Sequence, residues 1–279
     1  MINACVIGWP ISHSRSPLIH GYWLKKHGID GSYTRQPVEP AALGTFISGL
    51  ESSAYAGCNV TIPHKEAVYR LVIPADETTE RLGAVNTVFR RDRKTYGTNT
   101  DGEGFIGSLY QSVPGLDLKN KQTVVLGAGG ASLAVVNALL EKGVAQILVA
   151  NRTEEKSQEL RARLGQRITP ITWSTAAAHL AECSLLVNTT SLGMKGQPEL
   201  ELDLSGLNID AVVTDIVYTP LRTALLEKAV QRGNPIVEGL GMLLHQAVRG
   251  FSLWFGVTPA VTDELYDLVA RDIDPDYRR

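Results

Sequence analysis

Cysteine is scarce in this sequence of 279 residues: Cys5, Cys58 and Cys183 stand far apart, odd in number and without a C-x-x-C pair. They supply neither a disulfide framework nor a zinc knuckle, and a reducing, cytoplasmic setting is expected. Excess charge is missing too, since 27 Lys and Arg face 29 Asp and Glu for a formal charge of −2. That leaves little positive potential to draw the chain onto nucleic acid or an anionic membrane. No apolar run approaches the roughly 18 residues of a membrane span, and the opening MINACVIGWP lacks the charged and apolar regions of a signal peptide. None of His13, His20, His27, His64, His179 and His245 enters an H-E-x-x-H or similar ligand pattern, so no metal site is expected. Internal repeats and low-complexity tracts are also absent.

What is present is 44% hydrophobic and 20% charged, the balance of an ordinary globular protein, at a length that suits two domains. A small-molecule partner is expected, with the chain a monomer or a homodimer. From residue 121 onward, Val/Ile/Leu-rich runs alternate with amphipathic stretches of helical length, as buried parallel strands joined by helices would. Strands are predicted at 122–127, 146–150, 168–172, 184–188, 211–217 and 235–238, with helices filling the intervals. The first hundred residues predict a separate α/β layer with strands near 2–8, 32–38, 56–61, 84–90 and 95–98. Its helices begin at Ser16-Pro17 and near Pro63, proline being favoured early in a helix. RRDRKTYG (90–97) reads as a hairpin that gives this layer an antiparallel edge. After Gly239, Leu240, Leu243, Leu244, Ala247, Phe251 and Trp254 recur at helical spacing, and a further helix follows at 259–271.

The expected fold class is therefore α/β: a mixed α/β substrate domain and a Rossmann-type doubly wound domain, with a cleft between them. The first domain comprises 1–101 and 240–279, its last two helices folding back onto it, and the second comprises 102–239. Gly102, Gly104, Gly239 and Gly241 at the crossings suit a hinge.

Gly127-Ala128-Gly129-Gly130-Ala131-Ser132 follows the strand VVL and opens an apolar helix. Such a turn lets backbone approach a pyrophosphate while a helix N-terminus supplies N–H groups, although Ser132 stands where a third Gly or Ala is usual. The alternative is a plain tight turn. At the end of the next strand, where an NAD site places Asp or Glu, the chain has Asn151-Arg152-Thr153. Arg152, joined by Lys156, attracts a 2′-phosphate, so NADP is the expected cofactor; the alternative is a solvated helix start.

Polar clusters punctuate the first domain: Ser14-Arg15-Ser16, Asn59-Val60-Thr61 with Lys65, Asn86-Thr87 and Asn99-Thr100-Asp101. Asn59 and Thr61, two apart on a predicted strand, share a face, and Lys65 follows in the first turn of a helix. Such groups can serve one small polyol. GWPISHSRSP (8–17), GCNVTIPHK (57–65), GAVNT (83–87), TNTDGEGF (98–105), GAGGAS (127–132), NRT (151–153), NTTSLGM (188–194) and GMLLHQA (241–247), in this order, make the chain resemble the shikimate dehydrogenase family over nearly its whole length. The resemblance implies NADP-linked interconversion of 3-dehydroshikimate and shikimate, a step of aromatic amino acid biosynthesis.

It further implies that Ser14, Ser16, Asn59, Thr61, Asn86 and Gln246 bind the carboxylate and ring hydroxyls, and that Lys65 and Asp101 are catalytic. Thr189, Ser191, Met194, Ile216, Tyr218, Gly239 and Met242 fall on the cofactor side. Lys156 stands where many members have Arg, losing a planar fork, and Tyr218 could bear on the substrate side. Each residue has a structural rival: Ser16 and Asp101 could cap helices, Asn86 and Thr61 could satisfy buried backbone, and Gln246 could face water. Hydride transfer to a ring ketone needs a proton at the oxygen, and Lys65, the one cation of the central cluster, suits that role with Asp101 orienting it. A quinate/shikimate dehydrogenase and a catalytically silent NADP-binding sensor of the same fold are the competing readings.

Overall fold

The computed structural model describes residues 1–278. Two compact units emerge: Met1–Thr100 with Gln246–Val269, and Asp101–His245 with the residues from Ala270 onward.

In the first unit, β1 (Ile2–Gly8), β2 (Gly31–Pro37), β3 (Tyr55–Val60), β4 (Ile73–Pro74), β5 (Thr87–Arg91) and β6 (Lys94–Thr98) form one sheet in the order β2-β1-β3-β5-β6-β4. β2, β1 and β3 run parallel, β5 is antiparallel to both neighbours, and β4 is parallel to β6. The expected hairpin is β5–β6, with Asp92 and Arg93 at φ 50° and 60° as a two-residue turn of matching twist demands. It does not form the edge of the sheet, because β4 pairs beyond it. A two-residue strand ending in proline leaves no period to read, and proline is tolerated at such an edge.

The helices of this unit are α1 (Ser16–Lys26), α2 (Leu43–Gly49), α3 (Lys65–Tyr69) and α4 (Glu77–Leu82). Pro63 itself lies in a turn closed by the His64 N–H on the Thr61 carbonyl at 3.0 Å, and the helix starts two residues later than the proline. Asp76 caps α4 by accepting from the Thr79 N–H at 2.8 Å, and Gly83 closes it in the left-handed region at φ 51°. Cys5, Ile7, Cys58, Val60 and Val88 fill one face of the sheet together with Leu43, Ile47 and Val68 from the helices.

Aromatic rings occupy the other side of the unit. Trp23 meets Phe251 with ring centroids 5.4 Å apart, and His20 stacks on Tyr33 at 4.0 Å. His20 is fully buried and neither ring nitrogen has a hydrogen-bond partner; burial lowers its pKa to about 3, against a weaker opposing pull from Asn59. The unfolded chain binds a proton here near pH 6.5, whereas the folded chain does not until near pH 3, so between these values stability falls as pH falls. At 1.36 kcal/mol per pH unit the loss reaches about 2 kcal/mol by pH 5. The drop in Tm between pH 7 and pH 5 should thus be larger in the wild type than in His20→Phe, and equal drops would assign the acid sensitivity to other groups.

In the second unit, β7 (Gln122–Leu126), β8 (Gln146–Asn151), β9 (Ile168–Thr172), β10 (Cys183–Asn188), β11 (Val212–Asp215) and β12 (Ile236–Val237) form an all-parallel sheet in the order β12-β11-β10-β7-β8-β9. This is the doubly wound order, and the chain reverses its direction across the sheet between β7 and β10. α5 (Asp101–Ser112), α6 (Gly130–Glu141), α7 (Glu154–Leu164) and α8 (Ala224–Arg232) accompany it. Successive strand residues serve opposite cores: Val125, Val149 and Leu185 meet Val135 and Leu139 of α6, while Val124, Leu148 and Leu186 meet Leu225 and Leu226 of α8. Burial on both faces is what makes these strands read as unbroken apolar runs.

Two expectations fail in this unit. Helices do not fill every interval, since Trp173–Glu182 is a 3₁₀ segment and 189–211 crosses without any helix, turning at Gly193 and Gly196 with φ 84° and 85°. The strand foreseen at 211–217 stops at Asp215, whose carboxylate accepts the Val217 N–H at 2.9 Å and so turns the backbone out of the sheet.

The sequence pattern assigns α9 (Gly239–Phe255) and α10 (Asp263–Ile273) wholly to the first domain, but the division of the chain falls within each. The opening turns of α9 pack in the second unit. A Cβ at Gly241 would lie 2.2 Å from Ser108 Oγ, Met242 touches that unit's core, and His245 Nε2 meets Gln111 Oε1 at 2.5 Å. Its later turns pack in the first unit, where Trp254 Nε1 donates to the Val88 carbonyl at 2.9 Å. An apolar stripe that runs the length of one helix records that it is buried, not against what. No described helix is long and apolar enough to cross a membrane.

Candidate active site

The polar residues of the first unit converge at the C-terminal ends of β1 and β3. Ser14 Oγ donates to Ser16 Oγ at 3.2 Å and accepts the Ser16 N–H at 3.3 Å, which folds the loop after β1 into a compact turn. Arg35 on β2 holds this turn from outside, its Nε and Nη2 both donating to the Ser14 carbonyl at 2.9 and 2.5 Å. Ser16 does not cap α1, since no side chain caps that helix; its hydroxyl accepts from Ser14 Oγ instead.

Asn59, near the end of β3, is 5% exposed and accepts from the Tyr33 hydroxyl at 2.5 Å. Its Nδ2 donates to the Asn86 carbonyl and to Thr87 Oγ1, each at 3.1 Å. Two residues before it, a Cβ on Gly57 would stand 2.1 Å from the Val88 carbonyl, so only glycine lets β3 and β5 approach this closely. Asn86 accepts the Thr100 N–H at 2.9 Å and donates to Thr100 Oγ1 at 3.0 Å and to Gln246 Oε1 at 3.5 Å. It thus satisfies buried backbone, as its structural rival foresaw, and reaches the half-buried Gln246 as well. Thr61 is not a member of this set. It lies just past the end of β3, with its methyl against Gly8.

Lys65 is the first residue of α3, and its carbonyl accepts the Val85 N–H at 2.9 Å. The preceding His64, buried, places Nε2 2.7 Å from the Val38 carbonyl. The base of the lysine is therefore pinned on two sides. Gln246 is held through α9, where Arg249, one turn on, pairs with Asp76 at 3.1 Å. Burial works to raise the Asp76 pKa, but hydrogen bonds from Thr79 and Thr98 and the Arg249 charge outweigh it and leave the carboxyl below its ordinary value. Sequence reasoning missed Tyr33, Arg35, Asp76 and Arg249, because nothing local marks the partner of a residue dozens of positions away.

In the second unit, Asp101 opens α5 directly after Thr100 and is 9% exposed. The Gly-rich turn joins β7 to α6. Gly127 has φ 103°, and a Cβ there would meet Thr189 Oγ1 at 2.8 Å, so this position requires glycine twice over. A Cβ on Gly129 or Gly130 would meet nothing, and no side chain caps α6. The first turn of α6 is thus without a side-chain cap and has room beside Gly129 and Gly130, as a pyrophosphate cradle needs. Ser132 is tolerated in place of a smaller residue because its hydroxyl turns back to the Gly129 carbonyl at 2.6 Å.

Asn151 ties this turn to the end of β8: its Oδ1 accepts the Ala128 N–H at 3.1 Å and its Nδ2 donates to the Thr153 carbonyl at 2.7 Å. Arg152 and Lys156 are exposed and their side chains have no protein partner among the described residues, which suits cations offered to a phosphate. Thr189 bonds the Leu126 carbonyl at 2.8 Å, bringing the ends of β7 and β10 together, while Met194 is 42% exposed. Ser191 is exposed, Ile216 and Tyr218 are half-buried, Gly239 begins α9 against the Ile216 and Val217 backbone, and Met242 packs on the core.

Beneath both loops sits a buried carboxylate that the sequence reading passed over. Asp215 accepts from Asn188 Nδ2, the Val217 N–H and Thr223 Oγ1 at 2.9, 2.9 and 2.8 Å. Burial raises its pKa against these bonds. Asn188 Oδ1 in turn accepts from the Thr190 N–H at 3.0 Å, so one pair of side chains shapes the loops that carry Ser191 and Tyr218. An aspartate inside the apolar run AVVTDIV was the available signal.

Three family models match the chain: the shikimate dehydrogenase substrate binding domain over residues 6–88, shikimate/quinate 5-dehydrogenase over 108–194, and the shikimate 5′-dehydrogenase C-terminal domain over 239–263. A curated shikimate dehydrogenase (NADP(+)) of Rhodopseudomonas palustris strain TIE-1 is 55% identical over 272 residues, covering 98% of this chain and 97% of the relative. The chain belongs to the shikimate dehydrogenase family. Among solved members of this fold, shikimate 5-dehydrogenase of Thermus thermophilus, in complex with NADP(H) and shikimate, superposes with a TM-score of 0.85 at 33% identity, covering 98% of this chain and all of that one. Quinate dehydrogenase from Corynebacterium glutamicum in complex with NAD gives 0.88 at 30% identity, covering 96% and 98%. As a member of this family the chain is an oxidoreductase of the α/β class, with a substrate domain and a Rossmann-type domain.

Proposed function

We propose that Lys65 and Asp101 carry the proton transfer in the reaction of this family, the NADP-linked interconversion of 3-dehydroshikimate and shikimate on the route to the aromatic amino acids. The observation that carries the reading is the hydrogen-bonded network of Asn59, Thr87, Asn86 and Gln246, with the Ser14–Ser16 turn at the same end of the sheet and a pinned Lys65 whose carbonyl holds the residue before Asn86. Such a set matches a small carboxylated polyol, whose several hydroxyls each need a directed partner. The uncapped N-terminus of α6 and the open space at Gly129 and Gly130 fit a pyrophosphate, and Arg152 with Lys156 fit a 2′-phosphate.

When bound, NADPH supplies the hydride that reduces the ring ketone. Lys65 Nζ meets the negative charge developing on the ring oxygen and gives it a proton, and in the reverse direction takes one from the hydroxyl. Asp101 is assigned to the same proton transfer through the family resemblance. The serine pair takes the substrate carboxylate and the amides take ring hydroxyls.

The test is NADPH absorbance with shikimate and quinate offered in turn under identical conditions. NADP reduction is expected with shikimate and far less with quinate. Equal turnover of both would make this a dual-substrate enzyme, and turnover of neither, with NADP still bound, would make it a cofactor-binding sensor.

A further inference from the structure

The substrate-side amides and hydroxyls form a single polarised line. Asn59 Nδ2 faces the Asn86 carbonyl, which can only accept, so Asn59 Oδ1 faces Tyr33 and the tyrosine hydroxyl must donate to it. Asn86 Oδ1 faces the Thr100 N–H, which can only donate, so Asn86 Nδ2 points at Thr100 Oγ1. Thr100 accepts there and sends its own proton to the Gln246 carbonyl at 2.8 Å. Thr87 Oγ1 stands between the Asn59 amide nitrogen and Asn86 Oδ1, and so accepts from the first at 3.1 Å and donates to the second at 3.0 Å. A continuous run of side-chain donors therefore leads from Tyr33 through Asn59, Thr87, Asn86 and Thr100 to α9, while the Thr100 N–H donates back to Asn86 Oδ1 and fixes the amide's orientation. Thr87 and Thr100 are fully buried.

We propose that Thr87, with Tyr33 and Thr100, is a positioning residue that sets the amide orientation of Asn59 and Asn86 and thereby the donor and acceptor pattern offered to the substrate. Both N–H bonds of Asn59 are engaged within the protein, so what it offers a ligand hydroxyl is the remaining lone pair of Oδ1. Asn59 selects a substrate group that donates. The inference rests on the assignment of Asn59 and Asn86 to shikimate binding and adds the residues that decide which way they point.

Thr87→Val keeps shape and removes the hydroxyl, leaving a buried amide donor and a buried amide acceptor opposite a methyl. The KM for shikimate should rise about ten- to hundred-fold, the scale of an unmet buried polar group, with the KM for NADP unchanged. Thr87→Ser restores the hydroxyl and should stay within about threefold of the wild type. If Thr87→Val does not fold, Tyr33→Phe breaks the line at its other end and should move the shikimate KM in the same direction. A folded Thr87→Val with a wild-type shikimate KM overturns the proposal, as does a Thr87→Ser as impaired as the valine. A wild-type protein that turns over no shikimate overturns instead the functional reading beneath it.

Discussion

Lys65→Ala is expected to lose about 10²- to 10⁴-fold in kcat, the usual worth of a positioned general acid–base, while the KM for shikimate moves far less. The asymmetry follows from when the charge is needed. A lysine ammonium beside a neutral hydroxyl contributes little beyond one hydrogen bond, whereas beside an oxygen becoming anionic it contributes most of its electrostatic energy. The pinning of its backbone between Val38 and Val85 makes the substitution interpretable, because those contacts belong to His64 and to the Lys65 carbonyl and survive truncation of the side chain. Asp101→Asn should fall comparably. On the proposal that both residues serve one proton transfer, the double variant should be no slower than the worse single one. Steady-state kinetics of the three variants provide the check; a rise in KM alone for Lys65→Ala would make the lysine a binding residue.

Arg152→Ala is expected to reduce kcat/KM for NADP about ten- to hundred-fold while leaving the value for NAD nearly unchanged. A charge-assisted hydrogen bond to phosphate is worth about 1.5–3 kcal/mol, and only NADP carries the phosphate. The side chain is exposed and unpaired among the described residues, so its removal breaks no internal contact there and the comparison of cofactors is clean. Lys156, in the first turn of α7, keeps part of the attraction, which places the expected loss towards the lower end of that range. The same loss for both cofactors would show that Arg152 serves the fold of the turn and not the phosphate.

Much of this molecule is legible in the residue order because its determinants are local. The parallel sheet of the second unit announces itself through strands apolar on both faces, and the β7–α6 turn through glycines that a positive φ and the approach of Thr189 require. The residues proposed to set the cofactor's phosphate preference, Asn151, Arg152 and Thr153, are consecutive. The hairpin β5–β6 is likewise local, although its turn uses Asp92 and Arg93 without a glycine.

What the sequence by itself determined is thus the class of each layer, the two kinds of polar cluster and the chemistry they suit. Tertiary structure alone decided the edge strand β4, the helix-free crossing at 189–211, the point at which Asp215 ends β11, and the sharing of α9 between the two units. It also decided which hydroxyl or amide answers which. Tyr33 and Asn59 are 26 positions apart, Asn188 and Asp215 are 27 apart, and Asp76 and Arg249 are 173 apart. A hydrogen bond depends on angstroms and on the direction of a lone pair, and separation along the chain carries no information about either until the strands have paired and the helices have packed.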